Sequence, residues 1–189
     1  MLKKLMMTAA LTALPLMAQN SAEINLNSYD IELATEYQLG QSFDYNGNAS
    51  QNYLRVSYLY SGESETRSED LVEIGYLATG TLGDMSALRF GIGIKAALAE
   101  DFVAAPLGVT LNYQLPINWP VNVGGAFYVA PNPLVFSDGK GYTGYRVGIS
   151  SQVIPNATIY AGYRDIDLKY KDDRKNFNDG WYVGVRFYF

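Results

Sequence analysis

The sequence predicts an all-β fold, an antiparallel up-and-down transmembrane β-barrel, and three observations predict it. Extended segments in which apolar and non-apolar residues alternate recur along the chain. Short polar turns between these segments alternate with longer polar loops, as in barrels whose turns and loops lie on opposite sides of a membrane. The segment 181–189 is apolar at every odd position, so one face of that strand is apolar. Lipid is the simplest cover for such a face.

The N-terminus has the pattern of a secretory signal peptide. Two lysines precede an apolar run, and small and polar residues follow from Ala18. We predict a signal peptide over 1–18 and a single barrel domain over 19–189. The alternative is a helical membrane anchor, which needs about 18 or more apolar residues. Pro15 interrupts the run here.

The composition excludes several classes of function. The formal charge is −5, and removal of the predicted signal peptide takes away two lysines and no acid, which makes it −7. Nucleic acid is therefore not an expected partner. The sequence has no histidine and no cysteine, which excludes histidine-dependent catalytic pairs and disulfide bonds. We expect no enzymatic activity, no cofactor and no metal.

The first extended segment, 23–37, changes phase. Ile24 and Leu26 are apolar at even numbers, while Ile31 and Leu33 continue at odd numbers. A change of one residue moves every side chain to the opposite face, so the segment contains either a tight turn between two strands or a bulge within one. The polar residues at the change suit a turn.

Eight further segments complete the wall. In each of them apolar residues recur at every second position, which is typical of strands. In chain order they cover 54–60, 72–78, 88–94, 107–114, 119–129, 145–153, 159–163 and 181–189. Both ends of such a barrel lie in the periplasm, which requires an even number of strands. Splitting the first segment at its phase change makes ten strands, the number we favour. The alternative is eight, with the first segment outside the wall or in the lumen.

The connections orient the barrel. A polar loop is predicted over 41–50. The short turns 80–84, 115–118 and 154–156 alternate with the longer loops 61–70, 131–141 and 171–179. Short turns correspond to the periplasm and long loops to the cell surface. Trp119 follows a short turn and Trp181 follows a long loop, so we predict them in aromatic belts at opposite membrane interfaces.

The non-apolar face of the segments carries the charged residues. An Arg or Lys on the lipid face at mid-depth costs about 2–4 kcal/mol, so we place these side chains in the lumen. The predicted lumen charge network comprises Glu32, Glu36, Arg55, Glu73, Arg89, Lys95, Arg146, Arg164 and Arg186. Barrels of about eight strands are filled by their own side chains, which favours a packed plug of ion pairs. The alternative is a narrow, anion-preferring pore lined by arginines.

The C-terminus resembles the insertion signal of bacterial outer-membrane β-barrels. That signal has a polar or aromatic residue, a glycine two positions on and two aromatic or apolar residues at the end. Here these positions are Tyr182, Gly184, Phe187 and Phe189. The resemblance implies the barrel-assembly machinery as a partner and the outer membrane of a Gram-negative bacterium as the location.

The last third of the chain is similar to the YfaZ family of small outer-membrane proteins. The similarity is carried by Phe127-Tyr128-Val129-Ala130-Pro131, Gly162-Tyr163-Arg164 and Tyr182-Val183-Gly184-Val185. Weaker similarity in strand order extends back to about Asn52. The resemblance implies an outer-membrane barrel without an assigned activity, and it brings no catalytic residues.

We expect a monomeric outer-membrane protein with a structural or minor small-solute permeability role, in contact with outer-membrane lipids and lipopolysaccharide. One alternative is a surface interaction protein that binds lipopolysaccharide or another partner through its loops. The loop residues for this role are Lys169, Lys171, Arg174 and Lys175.

Three further alternatives remain open. A histidine-independent enzyme would need paired carboxylates or a Ser-Lys mechanism. Asp165 and Asp167, close in sequence to Asp172 and Asp173, form a candidate site for weak Ca²⁺ or Mg²⁺ binding at the cell surface. A soluble periplasmic β-sandwich or lipocalin-like barrel would turn the apolar faces inward.

Overall fold

The computed structural model describes residues 20–43, 49–62, 69–82, 85–171 and 174–189. The predicted signal peptide, 1–18, lies outside these residues. The described part of the chain holds no helix with the length and apolarity needed to cross a membrane. Its structure is almost entirely β-strand, as the alternation predicts.

The strands of the described residues run antiparallel to their neighbours. They are β1 (Ser21–Leu26), β2 (Asp30–Phe43), β3 (Ala49–Ser61), β4 (Glu69–Leu82), β5 (Met85–Ala99), β6 (Phe102–Ala104), β7 (Leu107–Gln114), β8 (Val121–Ala130), β9 (Val135–Ser137), β10 (Gly139–Ile154), β11 (Ala157–Tyr170) and β12 (Arg174–Tyr188). All except β6 and β9 form the wall, which closes because β1 pairs with both β2 and β12. The prediction of a ten-stranded barrel is confirmed, and the eight-stranded alternative is wrong.

The phase change in the first predicted segment is a tight turn between β1 and β2. Asn27 Oδ1 accepts hydrogen bonds from the backbone N–H groups of Tyr29 (2.8 Å) and Asp30 (2.6 Å). Asn27 Nδ2 also donates to Asp30 Oδ2 (2.6 Å). An asparagine that bonds the backbone two residues ahead favours a turn. The turn therefore divides one predicted segment into two wall strands.

The strands are longer than alternation predicts at the end of the barrel that the loop lengths predict to be extracellular. β12 begins at Arg174, inside the predicted loop 171–179, and β10 begins at Gly139, inside the predicted loop 131–141. The latter loop also contains a 3-10 turn, Asn132–Leu134, and β9. Apolar alternation ends where lipid ends, whereas backbone pairing continues into the water-exposed rim. The predicted loop boundaries are wrong there for this reason.

Three other predicted connections lie partly outside the described residues. They are 41–50, 61–70 and 80–84, and the described residues at their ends belong to β2, β3 and β4.

The outer face of the barrel is apolar. Phe90 and Val183 are 37% and 61% exposed on the outside. Arg186, which lies on the opposite phase of β12 from Val183, bonds Glu23 in the lumen. A soluble β-sandwich or lipocalin-like barrel would bury the apolar side chains in a closed interior, so that alternative is wrong. The outward phase is the lipid-facing phase predicted from the sequence.

Candidate functional site: the barrel lumen

The inner face of the barrel collects charged side chains from β1 to β5 and from β10 to β12. We use the name lumen cluster for the part that lies around two buried carboxylates. Its members are Glu23, Glu32, Glu36, Arg55, Arg146, Arg164 and Arg186. Every member except Glu23 belongs to the predicted lumen charge network.

Glu23 is the centre of the lumen cluster. Its carboxylate accepts hydrogen bonds from Arg55 Nη1 (3.1 Å) and Nη2 (2.9 Å). The same carboxylate accepts bonds from Arg186 Nε (2.9 Å) and Nη2 (2.6 Å). Arg146 Nη1 lies 3.6 Å from Glu23 Oε1. Register explains the contact with Arg186, because Glu23 of β1 lies directly opposite Arg186 of β12.

Glu32 is the second buried carboxylate. Arg146 Nη2 donates to both of its oxygens at 2.9 Å, and Arg164 Nη1 donates to Oε2. Asn25 lies between the two glutamates, since its Nδ2 donates to Glu23 Oε1 (2.8 Å) and Glu32 Oε2 (2.8 Å). A neutral donor between two carboxylates offsets their repulsion, and each carboxylate also has at least two arginine partners.

Sequence reasoning missed the role of Glu23. The signal was present, because the alternation of 23–26 places Glu23 and Asn25 opposite Ile24 and Leu26. We expected a charge network without its central member, since the number of arginines that converge on one carboxylate depends on strand neighbours that are distant in sequence.

The remaining members of the predicted network lie elsewhere in the lumen. Arg89 is exposed and donates to Gln51 Oε1 (3.1 Å) near the periplasmic end of the barrel. Lys95 Nζ donates to Glu73 Oε2 (2.9 Å), and Tyr142 OH donates to the other oxygen of Glu73 (2.6 Å). This second group is a separate ion pair, above the lumen cluster in the direction of the cell surface.

The extracellular half of the lumen is filled mainly by apolar side chains, with Asp30, Asp167 and Asn178 buried among them. The strands β6 and β9 pair with each other beside the end of β5 and bury Phe102, Ala104 and Val135. We call the whole buried group the apolar plug. It comprises Leu59, Leu71, Ala97, Phe102, Ala104, Tyr128, Ala130, Val135, Tyr142, Ile166, Leu168 and Phe177. Sequence reasoning missed the plug because β6 and β9 are too short to show a periodicity.

Tyrosines lie flat against glycines on the inner wall. A Cβ atom at Gly108 would lie 2.3 Å from Tyr128 Cδ1, and one at Gly93 would lie 2.6 Å from the Tyr128 hydroxyl. Gly162 has the same relation to Tyr182, at 2.8 Å from its hydroxyl. Glycine is required where another group approaches the backbone so closely. The predicted filling of the lumen by its own side chains thus includes aromatic rings as well as ion pairs.

The C-terminal positions that resemble an insertion signal have two environments. Tyr182 is buried in the lumen, and Gly184 lies under the ring of Tyr160. Phe187 and Phe189 are exposed on the outside. Side chains alternate between the two faces of β12, so one pair of residues lies in the lumen and the other pair lies on the outer face.

The two tryptophans lie on the outside at opposite ends of the apolar band. Trp119 lies next to β8 in the turn at the periplasmic end, and its Nε1 donates to Ser151 Oγ (2.5 Å). Trp181 faces outward on β12 at the other end of the apolar band, next to the polar Asp179. Both indoles are exposed, as membrane-interface tryptophans are.

The candidate Ca²⁺ or Mg²⁺ site gains no support from the structure. Among the described residues, no group of three or more Asp or Glu side chains is arranged to hold an ion. Asp165 and Asp167 lie on β11. Asp172 and Asp173 lie outside the described ranges.

Comparison with known proteins places the chain in a family. Among solved structures, "NanC porin structure in rhombohedral crystal form" is similar at a TM-score of 0.44 and 13% sequence identity, over 90% of this chain and 99% of that one. A comparison with curated proteins finds no significant match. The family model described as "YfaZ precursor" matches residues 2–189. A precursor family and a closed barrel with an apolar outer face fit an outer-membrane barrel protein. The chain belongs to the YfaZ family.

Proposed function

We propose that this chain is a structural outer-membrane barrel that spans the membrane of a Gram-negative bacterium and conducts no solute. The apolar plug at the extracellular half of the lumen is the observation that carries the proposal. A hydrated ion or a polar solute would have to lose much of its water to pass through this group. The lumen cluster below the plug adds a second layer of side chains that bond one another.

Single-channel recording in a planar bilayer tests the proposal. The refolded wild-type barrel is expected to be electrically silent over the voltage range that the bilayer tolerates. Heat-modifiable gel mobility of the same sample would show that the protein is folded. Regular conductance steps from that folded sample would contradict the proposal and favour an arginine-lined pore. Anion selectivity of such steps would assign the current to the lumen cluster.

A surface interaction protein is a second candidate, and the extracellular rim favours it. Lys171 Nζ contacts Asp138 Oδ1 at 2.7 Å, and Lys140 and Lys169 are exposed at the same rim. Below them on the outside, the ring of Tyr163 lies 5.9 Å from the ring of Tyr145 and 5.6 Å from that of Trp181. Exposed lysines above an aromatic group suit a phosphate-bearing lipid such as lipopolysaccharide.

Binding of lipopolysaccharide separates this candidate from a purely structural role. Detergent-refolded protein would be mixed with lipopolysaccharide or with phosphatidylcholine, and bound lipid measured after size-exclusion chromatography. Preferential retention of lipopolysaccharide that falls in the double variant Lys140→Gln and Lys169→Gln supports the surface role. Equal retention of both lipids by wild type and variant argues against it.

We further infer a monomeric protein without enzymatic activity. The absence of histidine from the sequence removes the common proton carrier of such sites. The lumen carboxylates Glu23, Glu32 and Glu73 are held by arginine, lysine and tyrosine donors.

We also infer insertion by the barrel-assembly machinery through Tyr182, Gly184, Phe187 and Phe189. Truncation of Phe189 is expected to reduce the amount of folded protein in the outer membrane.

A further inference from the structure

We propose that the periplasmic half of the lumen is a blind-ended site that binds a small oxyanion, a phosphate or a carboxylate, between Arg55, Arg146 and Arg186. The proposal rests on the sealed barrel of the preceding section, since the apolar plug closes the site on its extracellular side.

Three guanidinium groups converge in this region. Arg55 and Arg186 both bond Glu23, and Arg146 Nη1 lies within 3.6 Å of the same carboxylate. Their charged ends therefore surround the Glu23 carboxylate. A planar guanidinium group carries five N–H donors, and clustered guanidinium groups suit phosphate and carboxylate oxygens.

The lumen cluster has more positive than negative charge. The four arginines Arg55, Arg146, Arg164 and Arg186 face the three carboxylates of Glu23, Glu32 and Glu36. One positive charge is left over, and the exposed Arg89 lies nearer to the periplasmic end. An anion that approaches from the periplasm therefore meets a net attraction, which the low-dielectric wall of the barrel strengthens.

Some donors of the cluster have no hydrogen-bond acceptor among the described residues. These are Nη1 of Arg186 and Nη1 of Arg146, the latter beyond hydrogen-bond distance of Glu23 at 3.6 Å. Neither nitrogen is a buried, unsatisfied atom of the described residues, so both reach solvent. These N–H groups are the donors that we assign to the oxyanion.

Exposure along the lumen shows from which side the site opens. The side chains of Arg186, Arg146 and Arg55 are 30%, 28% and 22% exposed, whereas that of Arg164 is 3% exposed. Arg186 lies near the periplasmic end of β12, and Arg164 lies next to the apolar plug residue Ile166. Water therefore reaches the arginines from the periplasm and stops below the plug.

Calorimetric titration of the full-length mature barrel, refolded in detergent, tests the inference. Inorganic phosphate and succinate would be titrated separately at constant ionic strength, so that a phosphate site and a carboxylate site are distinguished. We expect saturable binding of at least one of them. Arg186→Gln is expected to weaken that binding about tenfold or more, because it removes charged donors. The distant Lys171→Gln is the matched control and should bind as the wild type does.

A second variant keeps the test valid if Arg186→Gln does not fold. Glu36 lies 3.9 Å from Arg55 Nη1, beyond hydrogen-bond distance, so Glu36→Gln removes a competing negative charge with little loss of packing. Binding should tighten about fivefold. Absence of binding by the wild type, or binding that neither substitution changes, would overturn the inference.

The outcomes separate this inference from the sealed barrel. Conductance by the wild-type barrel would contradict the sealed barrel and the blind end of the site. Binding of phosphate or succinate could still be measured in that case. A silent bilayer together with no anion binding would remove the anion site alone.

Discussion

At the scale of single residues, the stability of the lumen depends on a few side chains with many partners. Glu23 bonds two arginines directly and has a third within 3.6 Å, although its own side chain is almost fully buried. Removing one partner of a buried ion pair is far more costly than removing an exposed one, because it leaves the opposite charges without compensation.

We expect Glu23→Gln to lower the free energy of unfolding by about 3–5 kcal/mol, because the substitution leaves Arg55 and Arg186 without their carboxylate. Urea unfolding in lipid vesicles, followed by gel mobility, measures the change. Glu36→Gln is the matched control, since Glu36 is partly exposed and 3.9 Å from its arginine. Its effect should stay within about 1 kcal/mol. Equal effects of the two substitutions would show that Glu23 is not the central residue.

The contacts between tyrosine and glycine make a second prediction at this scale. Gly108→Ala should destabilise the barrel by about 1–3 kcal/mol, because the added methyl group meets the ring of Tyr128. Gly40→Ala is the control, since nothing lies within 4 Å of a Cβ atom at that position. Urea midpoints of both variants in the same vesicles check the prediction. A midpoint of Gly108→Ala at or above that of Gly40→Ala would contradict it.

At the scale of elements, the short strands β6 and β9 contribute buried side chains to the apolar plug. Backbone and side-chain contacts attach them to the rim. The N–H of Asp138 donates to the carbonyl of Asp101 (3.3 Å), and the N–H of Lys171 donates to the carbonyl of Asp138 (3.1 Å). Phe102 of β6 is fully buried, whereas Phe136 of the paired strand β9 is exposed. Phe102 therefore lies on the inner face of this small sheet, and Phe136 lies on its outer face.

We expect Phe102→Ala to cost about 3–5 kcal/mol, because it leaves a void in the apolar plug. Phe136→Ala should change stability by less than about 1 kcal/mol, since Phe136 is exposed. Unfolding by urea compares the two, and bilayer recording shows whether the void admits ions. Similar losses in both variants would mean that β6 does not pack into the lumen.

At the scale of the whole molecule, the apolar outer face makes the barrel a membrane protein. Ile92 lies at the middle of β5 and is 60% exposed, and Val153 lies on the outer face near the periplasmic turn after β10. A charge at these two places meets lipid at different depths, so the cost of inserting it should differ.

We expect Ile92→Arg to destabilise the barrel in lipid vesicles by about 2–4 kcal/mol, and Val153→Arg by about 0–1 kcal/mol. The difference follows from depth, because an arginine near the interface reaches water. Equilibrium unfolding from vesicles measures both values. Equal and small costs would indicate that Ile92 faces water, which would contradict a lipid-covered wall.

Much of the fold could be predicted because lipid and lumen impose a simple alternation on each strand. The ten-stranded wall, the outward phase of Phe90 and Val183 and the inward phase of Arg55, Arg146 and Arg186 follow from residues within each segment. The β1–β2 turn at Asn27 was also readable as a change of phase. The ends of β10 and β12 could not be predicted, since the polar rim carries no apolar period.

The sequence by itself determined which segments form the wall and which side of each faces lipid, because alternation is local and repeats every two residues, and it favoured ten wall strands over eight. Only the tertiary structure decided that Glu23 collects three arginines and that Phe102 and Val135 are buried in the apolar plug. These contacts join strands that are far apart in the chain, and they depend on register and on the stagger of the closed wall, which no alternating pattern within one strand encodes.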